Sequence, residues 1–417
     1  MRRYTSEMAK RFEEFDWSRT SIGPVEHWPA TWRNLVDLIL VSSFPGAVGL
    51  GPDLIYFYND AFIDIGGPAR HPSALGRPVK EVWREIWEPV LERRFTETLA
   101  TGRPTGEADL LMQLVRSNYL EETYITFSFA ALADDHGNPS GIFCTATENT
   151  GQVIARRQLD CLQRLASQCA SAQSTEDACR LAVQALGGQH RDVPFALIYQ
   201  MDSASTHVES VAGAGLSSVP AGIPGVGRLE RSADPWQLAA AASSRTPLLI
   251  DHVPEVIGGA LTLPEVTPRQ ALTIPFADAG ADAPQCILVM GLNPMRPVEE
   301  SRRFFELIAA HVETAFTSAR MRENAERRAR ELDALDRAKT AFFSDVSHEL
   351  RTPLTLLLEP LRQVLDCAQL EADDRELLST ARRAGTRLRK LVNSLLEFSR
   401  IEGGRIEARY EPTELGA

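Results

Sequence analysis

The chain has 417 residues and a net charge of -12, with 56 acidic side chains against 44 Lys and Arg. That length suggests roughly two to four domains, and the acidic balance argues against nucleic-acid binding as a main role. The first ten residues, Met1 to Lys10, lack an apolar signal region. The most apolar early stretch, 35–50, is broken by Asp37, Pro45 and two glycines, so no membrane span is expected. Cys144, Cys161, Cys169, Cys179, Cys286 and Cys367 are scattered without a C-x-x-C pair. That usage fits the cytoplasm and neither a disulfide framework nor a zinc site.

Residues 1–150 read as one α+β unit. A helix is predicted over Trp28–Val41, then strands at Ala47–Leu50 and Leu54–Tyr58 about a Gly51-Pro52-Asp53 turn. Ile125, Phe127, Phe129 and Ala131 alternate with Thr126, Ser128 and Ala130, and the turn at 134–139 feeds a strand at Ser140–Thr147. Strict alternation on both sides of a turn predicts a hairpin. The run Tyr58-Asn59-Asp60-Ala61-Phe62, the segment 75–83 and the ending 144–150 resemble a PAS domain, which implies a sensory role. Cys144 lies on a predicted strand rather than in the helical motif of flavin-binding members. His71, before Pro72, is a candidate haem ligand against the plainer reading of a turn histidine. Trp83, Trp87 and Phe95 read as core.

Residues 151–319 read as a second α+β unit. Ser174 is a predicted N-cap with Asp177 three residues on, and Gly187-Gly188 ends that helix. Strands recur at 195–200, 208–212, 247–250, 272–276 and 286–292, with a Gly-, Pro- and Ser-rich loop over 213–234 and a closing helix over 299–319. This order resembles a GAF domain. No Cys-His pair of the bilin-binding kind occurs, and Gly225-Val226-Gly227 reads as loop punctuation before it reads as a phosphate cradle. The sensory signal, small molecule or protein, stays open.

Residues 320–340 are charge-rich, with sparse apolar positions at Met321, Ala325, Ala329 and Leu332, as in a connector helix with a thin coiled-coil seam. A first seam then runs through Phe342, Val346, Leu350, Pro353, Leu357, Leu361 and Val364, close to an eleven-residue repeat. A second runs through Leu377, Ala381, Ala384, Leu388, Leu391, Leu395 and Phe398 as a heptad. The link 366–373 is short enough for an antiparallel hairpin. One hairpin would leave its seams wet, so a homodimer forming a four-helix bundle is expected.

His348 falls off the first seam and should face solvent, with Thr352 one turn away on the same face. Pro353 cannot donate to the carbonyl of Glu349, so the helix should kink or loosen just after His348. A neutral imidazole there, beside a carboxylate, suits nucleophilic phosphoryl transfer. A lone helical His is ordinarily a surface residue; a zinc-protease helix would need a second His where this chain has Thr352.

Ser347-His348-Glu349-Leu350-Arg351-Thr352-Pro353-Leu354 resembles the phosphoacceptor box of sensor histidine kinases of two-component systems. The run 391–402 resembles the second helix of the same dimerisation and phosphotransfer domain. The resemblance implies that His348 takes phosphate from ATP and passes it to an aspartate of a response-regulator receiver domain. Glu349 is then the acid/base partner, and Thr352 orients water in the reverse, phosphatase reaction. It further implies an ATP-binding domain, with ATP and Mg, following the hairpin at 341–404. Residues 405–417 read as a linker toward it, so those groups are expected outside these 417 residues. The alternative is a non-catalytic phosphotransfer or regulatory partner of another kinase.

Overall fold

The computed structural model describes residues 6–116, 119–201, 207–217, 227–228, 234–261, 266–276, 285–366 and 371–402. Cys367, most of the loop over 213–234 including Gly225 and Val226, and the linker 405–417 lie outside the described residues. The chain divides into two compact units, Met1–Ala319 and Arg320–Ala417. The first contains two antiparallel sheets, each covered by helices, so the expected α+β class holds for both domains.

The first domain opens with α1 (Glu7–Glu14), capped by Ser6, whose hydroxyl accepts from the Ala9 amide. The next orphan amides, of Glu7 and Met8, donate to the Asp60 carboxylate, which ties the helix start to the sheet. Helix α2 (Ala30–Val41) starts two residues later than expected, because Trp28 and Pro29 stay extended. Strands β1 (Gly46–Leu50) and β2 (Ile55–Tyr58) pair about the predicted turn. Gly51 there sits at φ +72, where a side chain would be strained and would strike Ile22.

Helix α3 (Glu92–Thr101) ends on a left-handed Gly102. Strands β3 (Thr105–Val115), β4 (Leu120–Ala133) and β5 (Pro139–Glu148) complete a sheet of order β2-β1-β5-β4-β3. The β4–β5 hairpin is as expected, with Phe129 opposite Cys144, and Ile125, Phe127 and Phe129 point inward. Asn59, from the PAS-like motif, is buried; its Oδ1 accepts from Gly46 and Phe62 amides while Nδ2 donates to the Phe44 carbonyl. One side chain thereby satisfies backbone groups of three segments.

The second domain begins with α4 (Thr150–Cys169) and α5 (Thr175–Leu186). Ser174 caps α5 by accepting from the Asp177 amide, as the sequence predicts. Strands β6 (Ala196–Met201), β7 (His207–Ala214) and β8 (Gly227–Arg228) follow. Next come α6 (Leu238–Ser244), β9 (Leu248–Ile250), α7 (Val253–Ile257), β10 (Ala271–Phe276) and β11 (Cys286–Gly291). The sheet order is β8-β7-β6-β11-β10-β9, and every residue of central β11 is buried. One face packs Leu288 and Met290 against α4 and α5. The other packs Ile287 and Val289 with Trp236 and Leu238. Each large apolar side chain removed from water contributes roughly 1.5–3 kcal/mol to this core.

A single helix, α8 (Val298–Asp366), then runs for 69 residues, and α9 (Ala372–Glu402) follows the turn. The closing helix, connector and first hairpin helix expected as successive segments are thus continuous. Along 320–340, Glu326 pairs with Arg330 at 3.0 Å and Asp333 with Arg337 at 2.7 Å. Both are exposed i,i+4 pairs with the acid N-terminal, the favourable direction, worth about 0.3–0.5 kcal/mol each. No described helix is long and apolar enough to cross a membrane.

Candidate functional site

His348 is exposed on α8, as its position off the seam predicts, and Glu349 and Thr352 are exposed beside it. The His348 ring has no hydrogen-bond partner among the described residues, so Glu349 does not contact it in this geometry. The Thr352 hydroxyl donates to the His348 carbonyl at 3.3 Å. That bond is long and easily given up, and the hydroxyl's lone pairs remain open to water.

Pro353 does not end the helix: α8 continues through both Pro353 and Pro360. The hydrogen-bond ladder is loosened there. Pro353 has no N–H, so the Glu349 carbonyl loses its helical donor one residue from the imidazole. Thr352 and Thr355 both donate their hydroxyls to carbonyls four residues back in this stretch.

Within one chain the two hairpin helices meet beside the expected seams. In a single chain, Leu354 and Leu358 of α8 and Val392 of α9 are the buried side chains among the described residues of the hairpin. None of the three is on either predicted seam. The cause is the leucine-rich run 354–358, which offers inward candidates on two faces of one helix. A Cβ on Gly385 would come within 2.8 Å of the Leu358 side chain, so the two helices approach closely where α9 lacks a side chain. Arg351 donates to the Asn393 side chain at 3.3 Å, one end of the same antiparallel contact. Seam residues Phe342, Leu350, Leu357, Val364, Leu377, Leu388, Leu391 and Leu395 stay exposed in the single chain. The Phe398 side chain lies outside the described ones.

The other candidates sit in the first domain. His71 is clipped at both nitrogens: Nδ1 lies 3.0 Å from the Tyr58 hydroxyl and Nε2 3.0 Å from a Glu7 carboxylate oxygen. It joins α1 to β2, and neither nitrogen is free to ligate iron. Cys144 is on β5, and burial pushes its thiol up to about 12, far from the thiolate that covalent attachment would use. Trp83 and Phe95 do fill core, around an apolar cavity of about 60 Å³ also lined by Tyr56, Met112, Phe127 and Cys144. Among the described residues no cluster of His, Cys, Asp and Glu converges as a metal site.

Residues 338–404 match the family described as the His Kinase A (phospho-acceptor) domain. An uncharacterized sensor-like histidine kinase of Rhizobium meliloti (strain 1021) is 34% identical over 148 residues, which is 34% of this chain and 28% of that protein. Hybrid signal transduction histidine kinase D of Dictyostelium discoideum is 42% identical over 82 residues, 20% of this chain and 5% of its own. The chain therefore spans less than a third of the length of either relative. Among solved structures, the GAF domain of a phosphoenolpyruvate-protein phosphotransferase from Coxiella burnetii aligns with 41% of this chain and 98% of its own. It does so at 20% identity and a TM-score of 0.31, too loose a likeness to carry an argument.

Proposed function

We propose that this chain, whose residues 338–404 belong to the histidine-kinase phospho-acceptor family, is the sensory and phosphoacceptor portion of a histidine protein kinase acting in a two-component relay. The observation that carries the reading is the exposed His348 on a long helix, with Glu349 adjacent and Thr352 one turn on, inside the matched segment.

In this reading one ring nitrogen of His348 attacks the γ-phosphorus of ATP held by an ATP-binding domain outside these residues. A P–N bond forms, the P–O bond to ADP breaks, and Glu349 receives the proton from the other ring nitrogen. A receiver-domain aspartate then attacks phosphorus; the P–N bond breaks and the imidazole recovers its proton. Phosphoryl transfer asks chiefly for in-line positioning, so control of access to His348 is control of rate. Exposure suits that role, since two different macromolecules must reach the same nitrogen.

The wet seams of α8 and α9 support a homodimeric four-helix bundle, because pairing two hairpins removes those leucines from water. The thiols of Cys144, Cys161, Cys169 and Cys179 are not in disulfides, which supports a cytoplasmic setting. The test is His348→Gln in the full-length protein, followed by phosphate uptake from labelled ATP. Uptake should vanish; undiminished labelling would remove His348 from the reaction.

A further inference from the structure

Four charged side chains close a buried ring between the two α+β domains. Glu122 of β4 meets Arg157 of α4 at 2.9 Å and Arg296 at 2.6 Å. Asp192, ahead of β6, meets the same two guanidiniums at 2.5 and 2.6 Å. Each charge thus touches two of opposite sign, and the ring is neutral overall. Glu122, Asp192 and Arg296 are at most 5% exposed, and Arg157 is 21% exposed. The remaining Glu122 valences are filled: Asn293 donates to Oε2 at 2.8 Å and the Tyr124 hydroxyl to Oε1 at 2.9 Å.

This arrangement is a poor device for stability alone. Desolvating four charges offsets most of their attraction, and an apolar filling of equal volume would hold the domains as well. What the ring supplies is geometry. Guanidinium and carboxylate planes accept each other in few orientations, so the start of β4 is fixed in register against its neighbours. Those neighbours are α4, which links the two domains covalently, and Arg296, two residues before α8 begins. The backbone adds to the contact, with the Glu122 amide donating to the Met295 carbonyl at 3.3 Å.

We infer that this ring is the joint through which the first domain acts on α8, with Glu122 at its centre and Arg296 as the positioning residue that receives the motion. The two α+β domains behave as one body because of it, and a shift of β4 is delivered to the start of the helix that carries His348. The functional sense of the joint rests on the phosphoacceptor reading, but its existence does not.

The experiment uses the whole 417-residue chain with Glu122→Gln, which keeps shape and removes one charge. Backbone hydrogen exchange across 292–298 should rise roughly tenfold or more, while β10 and β11 keep their protection. Heat unfolding should lose its coincidence: Trp17, Trp28, Trp32, Trp83 and Trp87 report the first domain and Trp236 the second. A Trp236→Phe companion isolates the first-domain signal, to be compared with calorimetry. Should the single variant fail to fold, Glu122→Gln with Arg296→Gln leaves the ring neutral and is read the same way. Unchanged exchange at 292–298, or both domains weakened together with transitions still coincident, would reduce the ring to static glue and overturn the joint. In the full-length kinase, Glu122→Gln should also change the His348 labelling rate. A wild-type protein that takes no label at His348 sinks the functional reading while leaving the joint untouched.

Discussion

The two compact units treat their apolar side chains in opposite ways. In residues 1–319, the central strand β11 buries all six of its residues, and Trp236, Phe57 and Ile142 are sealed inside. In the hairpin, leucines at 350, 357, 388, 391 and 395 stand at 43–63% exposure, while among the described residues Leu354, Leu358 and Val392 are buried. The first unit holds closed apolar cores. The second satisfies its backbone by helix but leaves these leucines wet in a single chain, so in the proposed homodimer its stability and output would depend on assembly.

That contrast can be broken by mutation. Leu391→Asp should leave helix content nearly unchanged in a single hairpin yet weaken the dimer by at least roughly a hundredfold. A twofold axis applies the loss twice, at roughly 1.5–3 kcal/mol for each buried leucine. Sedimentation equilibrium reads this directly, and an unaltered association constant would mean that this seam is not the interface. Leu288→Ala in β11 should act the other way, costing about 2–5 kcal/mol of folding stability by leaving a cavity in a core that cannot collapse around it. Thermal unfolding measures it, and association should not move.

The smallest structural effect belongs to the functional face. Thr352→Ala removes one weak bond to a helix carbonyl and should shift stability by less than about 0.5 kcal/mol. In the proposed chemistry it should nevertheless slow dephosphorylation of the regulator while sparing uptake of label by His348. An unchanged phosphatase rate would strip Thr352 of that role. A site that changes chemistry without changing stability is what exposure on a preformed helix permits.

Local pattern made much of this legible. Alternation at 125–129 and a turn at 134–139 sufficed for the β4–β5 hairpin, and Ser174 with Asp177 marked a cap that forms as read. The His348 face was legible because one helical turn fixes what is near what. Strand β3 escaped notice because Glu107, Asp109 and Gln113 interrupt its apolar positions on a partly wet edge. Which leucines of the run 354–358 meet α9 within one chain was not legible from period alone, because that run offers two faces of one helix. The charge ring was invisible for a deeper reason: Glu122, Arg157, Asp192 and Arg296 lie tens of residues apart and share no spacing. Only the packing of two sheets brings them together.

The most direct measurement is the site and chemistry of the phosphate itself. Full-length protein incubated with ATP should carry an acid-labile, base-stable phosphoramidate that maps by mass spectrometry to the peptide containing His348. A label that survives acid, or that maps to another residue, would contradict the account.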